Sequence, residues 1–171
     1  MKGFRYFMAA LAATILCLGV LALPTTSAAQ YAPPQPVKPS EDILKKIEER
    51  KTKLETALRK FRRQRLHDTF LADIEVYYKA AVWITEHKEF YKKEYGEWTV
   101  EALERGLLRA GQLLLANETP WYYLTGSPVI HGYRSRIDGS VQPYAVTLPA
   151  DYGKEFKKWR LEVVLHGRDS S

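Results

Sequence analysis

The hydrophobic period of this sequence changes once, at Pro120. From Glu41 to Ala116 apolar residues recur every three or four positions, the signature of helices with one buried face. Beyond Pro120 they fall into short runs rich in Val, Ile and Tyr, as strands do. A chain so divided cannot be all-helical or all-β; it is expected to be α+β, with three helices first and strands after.

The helical part has its own punctuation. Ser40 precedes Glu41 and Asp42, so it reads as an N-cap with acid in the first turn. Ile43, Ile47, Leu54, Leu58 and Phe61 then form a narrow stripe on a highly charged helix. Asp68 and Thr69 offer a second cap. The stripe Phe70, Ile74, Tyr77, Ala81 and Ile84 runs beside Leu71, Tyr78 and Val82, so this helix is expected to pack on two sides and to be broken at Gly96. Thr99 is the expected cap of the third helix, with Val100, Leu103, Leu107, Ala110 and Leu114 inward and Asn117 as the stop. Short connections favour antiparallel neighbours.

Residues 1–29 read as a secretory signal peptide. Lys2 and Arg5 give a positive start, an uncharged apolar run extends to Leu23, and Ser27-Ala28-Ala29 offers the small residues of a cleavage site. Export, periplasmic or extracellular, with cleavage near Ala29 is the expectation; contact with a membrane is then transient, through the signal alone. The sole cysteine, Cys17, lies in that segment, so the mature chain must be stable without disulfides. Its 4 Trp, 11 Tyr and 6 Phe can supply a core. Residues 30–40 carry four prolines and read as an extended linker outside the core.

Net charge is +6, and removal of Lys2 and Arg5 leaves 24 basic against 20 acidic residues, or +4. The basic run from Arg59 to Arg65 is balanced by Glu48, Glu49 and Glu55 and reads as a solvated helix end. Nucleic acid is not an expected partner of an exported chain.

In the β part, Val129–Ile137 and Ser140–Leu148 flank Asp138-Gly139, a pair that tolerates positive φ and so marks a hairpin. Pro143 places the second run at an edge. Trp159–Leu165 is a further strand-like run, of a kind that usually lies inside a sheet, so the sheet looks unfinished and its edge open to self-association.

Candidates for chemistry are few. His67, His87, His131 and His166 lack metal-ligand spacing, and neither a metal nor a cofactor is expected. There is no Gly-x-Ser-x-Gly, and Ser127 and Ser140 sit in turns. Asp73 and Glu75, two apart on a helix, face different directions and read as a solvated face rather than an acid/base pair. Asn117-Glu118-Thr119 matches a glycosylation sequon by chance. No catalytic residue is assigned. His166-Gly167 ends the last strand-like run, where glycine lets backbone N–H groups approach a ligand.

Two segments carry a resemblance: Tyr133-Arg-Ser-Arg-Ile-Asp-Gly-Ser-Val-Gln-Pro-Tyr144, continuing to Tyr152, and Trp159-Arg-Leu-Glu-Val-Val-Leu-His-Gly-Arg-Asp169. They resemble the entry to the catalytic domain of secreted bacterial prolyl oligopeptidase-like α/β-hydrolases, and the likeness extends over about residues 65–169. It implies a serine esterase or peptidase working through an acyl-enzyme, with His166, Gly167 and Arg168 in the oxyanion-hole region. It also implies that the nucleophile, acid and base lie downstream of this sequence, so that the chain is an inactive N-terminal part. The domain plan is then signal 1–29, linker 30–40, helical region 41–118, and from 119 to 171 the first strands of an incomplete α/β-hydrolase sheet. Cutting back to about residue 120 should leave a soluble helical unit. The competing class is a non-catalytic exported helical module that binds through an aromatic surface including Trp121, Tyr122 and Tyr123.

Overall fold

A computed structural model describes residues 34–154 and 158–165. The chain divides into two units, Met1–Gln35 and Pro36–Ser171. Only Pro34 and Gln35 of the first are described, and both are exposed. The second unit contains helices α1 (Glu41–Arg63), α2 (Asp68–Glu86) and α3 (Tyr95–Ala116), a 3₁₀ turn (Pro120–Tyr123) and an antiparallel hairpin of β1 (Pro128–Arg134) and β2 (Val141–Thr147). The class is mixed α+β. Among the described residues no helix is long and apolar enough to cross a membrane.

Helix α1 follows its sequence pattern. The Ser40 hydroxyl accepts from the Ile43 N–H at 3.4 Å, and the buried face is Ile47, Leu54, Leu58 and Phe61. In α2 the cap is His67 rather than Asp68 or Thr69: its ring accepts from the Thr69 N–H at 3.4 Å. The helix stops at Glu86, with His87 as C-cap.

Gly96 does not break a helix; it lies in the first turn of α3, which begins at Tyr95 rather than at Thr99. A Cβ at Gly96 would come within 2.8 Å of Ile43 Cγ2 and 3.1 Å of Pro39 Cβ. Glycine is there for closeness. The end of the proline-rich segment is accordingly not a free linker: Pro39 packs at this point, and the Val37 N–H donates to the Phe90 carbonyl at 2.5 Å. The inward face of α3 is Thr99, Leu103, Gly106, Ala110 and Leu113, so Leu113 takes the place expected for Leu114, which is exposed. Asn117, left-handed at φ 52°, ends the helix as its type favours.

Gly106 marks the place where the three helices meet. A Cβ on it would lie 2.8 Å from Leu54 Cδ2 and 3.0 Å from Tyr77 Cβ. The same apolar cluster extends from Ile47 in α1 to Val141 in β2, so helices and hairpin share one core.

The hairpin loop, 135–140, is longer than a two-residue turn. Only Gly139 has positive φ (71°). Asp138 acts through its side chain, accepting from the Ser140 N–H at 3.1 Å and hydroxyl at 2.8 Å. These bonds hold its carboxyl below the usual range.

The third expected strand is not formed. Residues 158–165 have no regular structure, and the described sheet has two strands. Leu161 is 85% exposed and Leu165 90% exposed, with Val163 and Val164 also exposed. The hairpin instead spends its buried face on α2, leaving this run without a strand beside it.

Candidate functional site: a buried aspartate beneath an aromatic cavity

Four consecutive residues of α2, Leu71 to Ile74, are buried. At 3.6 residues per turn they cover about 300° of the helix circumference, so this turn is enclosed on nearly every side. Asp73 is one of the four and is 0% exposed. The expectation that it sits on a solvated face is overturned, because the hairpin covers the side of α2 that the other helices leave open.

A buried carboxylate must be hydrogen-bonded. Trp121 Nε1–H donates to Oδ2 at 2.9 Å, and the Gly132 N–H donates to Oδ1 at 2.7 Å. His131 Nδ1 lies 3.1 Å from Oδ2 and 3.3 Å from Oδ1. A carboxylate only accepts, so Nδ1 carries the hydrogen, and in the neutral ring Nε2 is then the acceptor. Arg109 Nη1 donates to the Asp73 main-chain carbonyl at 3.1 Å, and its guanidinium lies between the rings of Tyr77 and Trp121, 5.1 and 5.0 Å from their centroids. Burial pulls the Arg109 pKa down, against the raising pull of Tyr77 and Asp73.

Gly132 is required by this contact. A Cβ there would sit 2.1 Å from the carbonyl oxygen of Ala72 and 3.2 Å from the Asp73 nitrogen. No side chain fits, and the strand backbone therefore comes close enough for its N–H to reach the carboxylate.

Glu75, the other member of the pair, faces away as its spacing implied. It accepts from Arg62 at 2.9 Å and from Arg134 at 3.0 Å. Arg134 also donates to Asp68 at 2.9 Å and to the Gly139 carbonyl at 3.1 Å.

Outside the network is a cavity of about 250 Å³, walled by Trp121, Tyr122, His131, Tyr144, Leu148 and Tyr152 among others. His131 and Tyr144 are opposite each other in the hairpin register and stack at 5.4 Å, while Tyr122 meets His131 edge-on at 5.1 Å. The Tyr122 hydroxyl is buried and falls short of a hydrogen bond. Burial first, and then the charge of Asp73, raise its pKa.

Of the residues singled out by sequence, His67 and His87 do sit at helix ends. His166, Gly167 and Arg168 lie outside the described residues. Trp121, offered as part of an aromatic surface, is buried, and Tyr123 is exposed. The residues that sequence reasoning missed are Asp73 and His131. The available signal was an Asp set among the apolar residues of a wide helix face, and a His two positions from Val129 on the inward side of a strand. Among the described residues no group of three His, Cys, Asp or Glu could hold a metal ion. Compared with known proteins, the chain matches no family model, no curated protein and no solved structure.

Proposed function

We propose that this chain is the N-terminal, non-catalytic part of an exported serine hydrolase of the prolyl oligopeptidase-like kind. The observation that carries the reading is the run 161–165. It has the Val- and Leu-rich composition of an interior strand, yet its four apolar side chains stand in solvent. A strand of this type needs neighbours on both sides, and an α/β-hydrolase sheet would supply them. In this reading the nucleophile, acid and base are carried outside these 171 residues, and acyl transfer proceeds through a serine acyl-enzyme. His166, Gly167 and Arg168 would follow the strand into the oxyanion-hole loop, where backbone donors stabilise the developing charge. The helices and hairpin, tied by Asp73, would then be a rigid accessory unit ahead of the catalytic sheet.

The test is the product of the whole locus. Sequencing past the codon for Ser171 should show a continuation carrying Gly-x-Ser-x-Gly, in frame or frameshifted. The exported product of that frame should label at a single serine with a fluorophosphonate, whereas residues 30–171 alone should not label. A clean stop with no such remnant downstream would sink the reading.

A further inference from the structure

The cavity beside His131 has a chemistry of its own, independent of the hydrolase reading. Its volume, about 250 Å³, is below the ~300–1,000 Å³ of clefts that hold drug-sized ligands. It suits one side chain or one small molecule. Its walls are aromatic and aliphatic, and no Lys, Arg, Asp or Glu lines it. One ring nitrogen beside the cavity is left over: with Nδ1 held by Asp73, His131 Nε2 is an acceptor in the neutral ring.

The sign of the local field follows from who sits behind the walls. Asp73 is directly behind His131 and Trp121. Arg109, the balancing cation, lies against Trp121 and Tyr77. The Asp73 carboxylate touches two wall residues, His131 and Trp121, whereas the Arg109 guanidinium bonds the Asp73 main-chain carbonyl and meets the wall at Trp121. After burial, Asp73 is what raises the pKa of both hydroxyls. The cavity therefore faces a negative charge it does not touch, through rings whose own faces are electronegative. An anion is repelled there. A cation gains from both sources, and a cationic N–H can donate to His131 Nε2.

We propose that this cavity binds a primary alkylammonium group, with Tyr122, Tyr144 and Tyr152 around the cation, His131 accepting its hydrogen bond and Asp73 supplying the field. Such a group has two sources, a free amine or a lysine side chain of a peptide, and both present the same chemistry.

The experiment compares isosteres on the purified full chain. n-Butylammonium, 1-butanol and butyrate are titrated while the Trp121 indole N–H resonance and tyrosine fluorescence are followed. n-Butylammonium should bind at least about tenfold more tightly than 1-butanol, and butyrate should not bind. Tyr144 is half-exposed, so Tyr144→Leu should fold; it should weaken n-butylammonium about fivefold, whereas Tyr144→Phe, which keeps the ring, should not. Equal or tighter binding of 1-butanol, any binding of butyrate, or no change in Tyr144→Leu would overturn the proposal. If Tyr144→Leu melts early, the ranking of the three probes on the unaltered chain decides alone. N-Acetyl-lysine-methylamide then separates the sources: affinity equal to that of n-butylammonium identifies a peptide lysine, and weaker affinity a free amine.

Discussion

Helix α2 is held from two directions by different physics. Toward α1 and α3 it shares one apolar cluster with Leu54, Leu58 and Leu103 and sets Tyr77 against Gly106, a contact made of shape and apolar area. Toward the hairpin it presents Asp73, whose carboxylate takes donors from Trp121, His131 and Gly132. Apolar contacts are non-directional and can relax when one side chain shrinks. Hydrogen bonds to a buried carboxylate are directional, and each donor left unpaired bears its full desolvation cost. The hairpin is thus positioned more strictly than the helices, although it buries fewer apolar side chains.

The sharpest way to break the comparison is to remove the hairpin. A chain ending at Thr119 loses Trp121, His131 and Gly132 together and uncovers Asp73. The expected soluble helical unit then gives way to one without cooperative thermal unfolding, while a chain ending at Lys154 should melt like the whole. A cooperative melt of the shorter form would show that the polar contact is dispensable. Next in size, Asp73→Ala should cost about 3–5 kcal/mol, because it strands the donors and leaves Arg109 without its nearby anion. Urea titration would measure it. Leu54→Ala on the apolar side should cost about 2–5 kcal/mol, but Leu54→Met less than about 1.5. No replacement of Asp73 should be so mild, Asn included, since its amide would set one N–H against another. If Asp73→Asn proves as gentle as Leu54→Met, the two interfaces do not differ in kind.

The same contrast explains what the sequence made legible. Ile47, Leu54, Leu58 and Phe61 announce themselves by spacing, as do Ile74, Tyr77 and Ala81, because period alone decides which apolar residues can share a face. Asn117 as a helix stop and Asp138-Gly139 as a hairpin mark are local and were equally readable. Gly96 and Gly132 were not. Each is glycine because a distant segment passes within contact distance, and nothing local distinguishes that from a helix breaker. Asp73 was misjudged because its neighbour Glu75 really is at the polar edge, and because its partners lie 48 to 59 residues away in sequence. The run 159–165 has a strand's composition without a strand's surroundings: pattern describes what a segment can do, and pairing depends on what stands next to it.

That exposed run predicts an effect on association rather than on folding. Val163→Lys should lower self-association of residues 30–171 in sedimentation without moving their melting temperature, since Val163 is exposed. A drop in melting temperature would show that the segment packs on the folded unit.

The smallest effects belong to two arginines that share one acceptor. Glu75 takes Arg62 from the helix side and Arg134 from the hairpin side. Arg62 is nearly half-exposed and, among the described residues, pairs with Glu75 alone, so Arg62→Ala should cost about 0–1 kcal/mol. Arg134 is less exposed and reaches Asp68, Glu75 and the Gly139 carbonyl at once. Losing three bonds at the turn end of the hairpin should cost more, about 1–2 kcal/mol after allowance for solvent screening. The double variant also leaves Glu75 without a cation, so its cost should exceed the sum of the singles, which a double-mutant cycle in urea resolves. Equal single costs would mean that the hairpin gains nothing extra from polar anchoring at its turn end, and would confine the directional hold on it to Asp73.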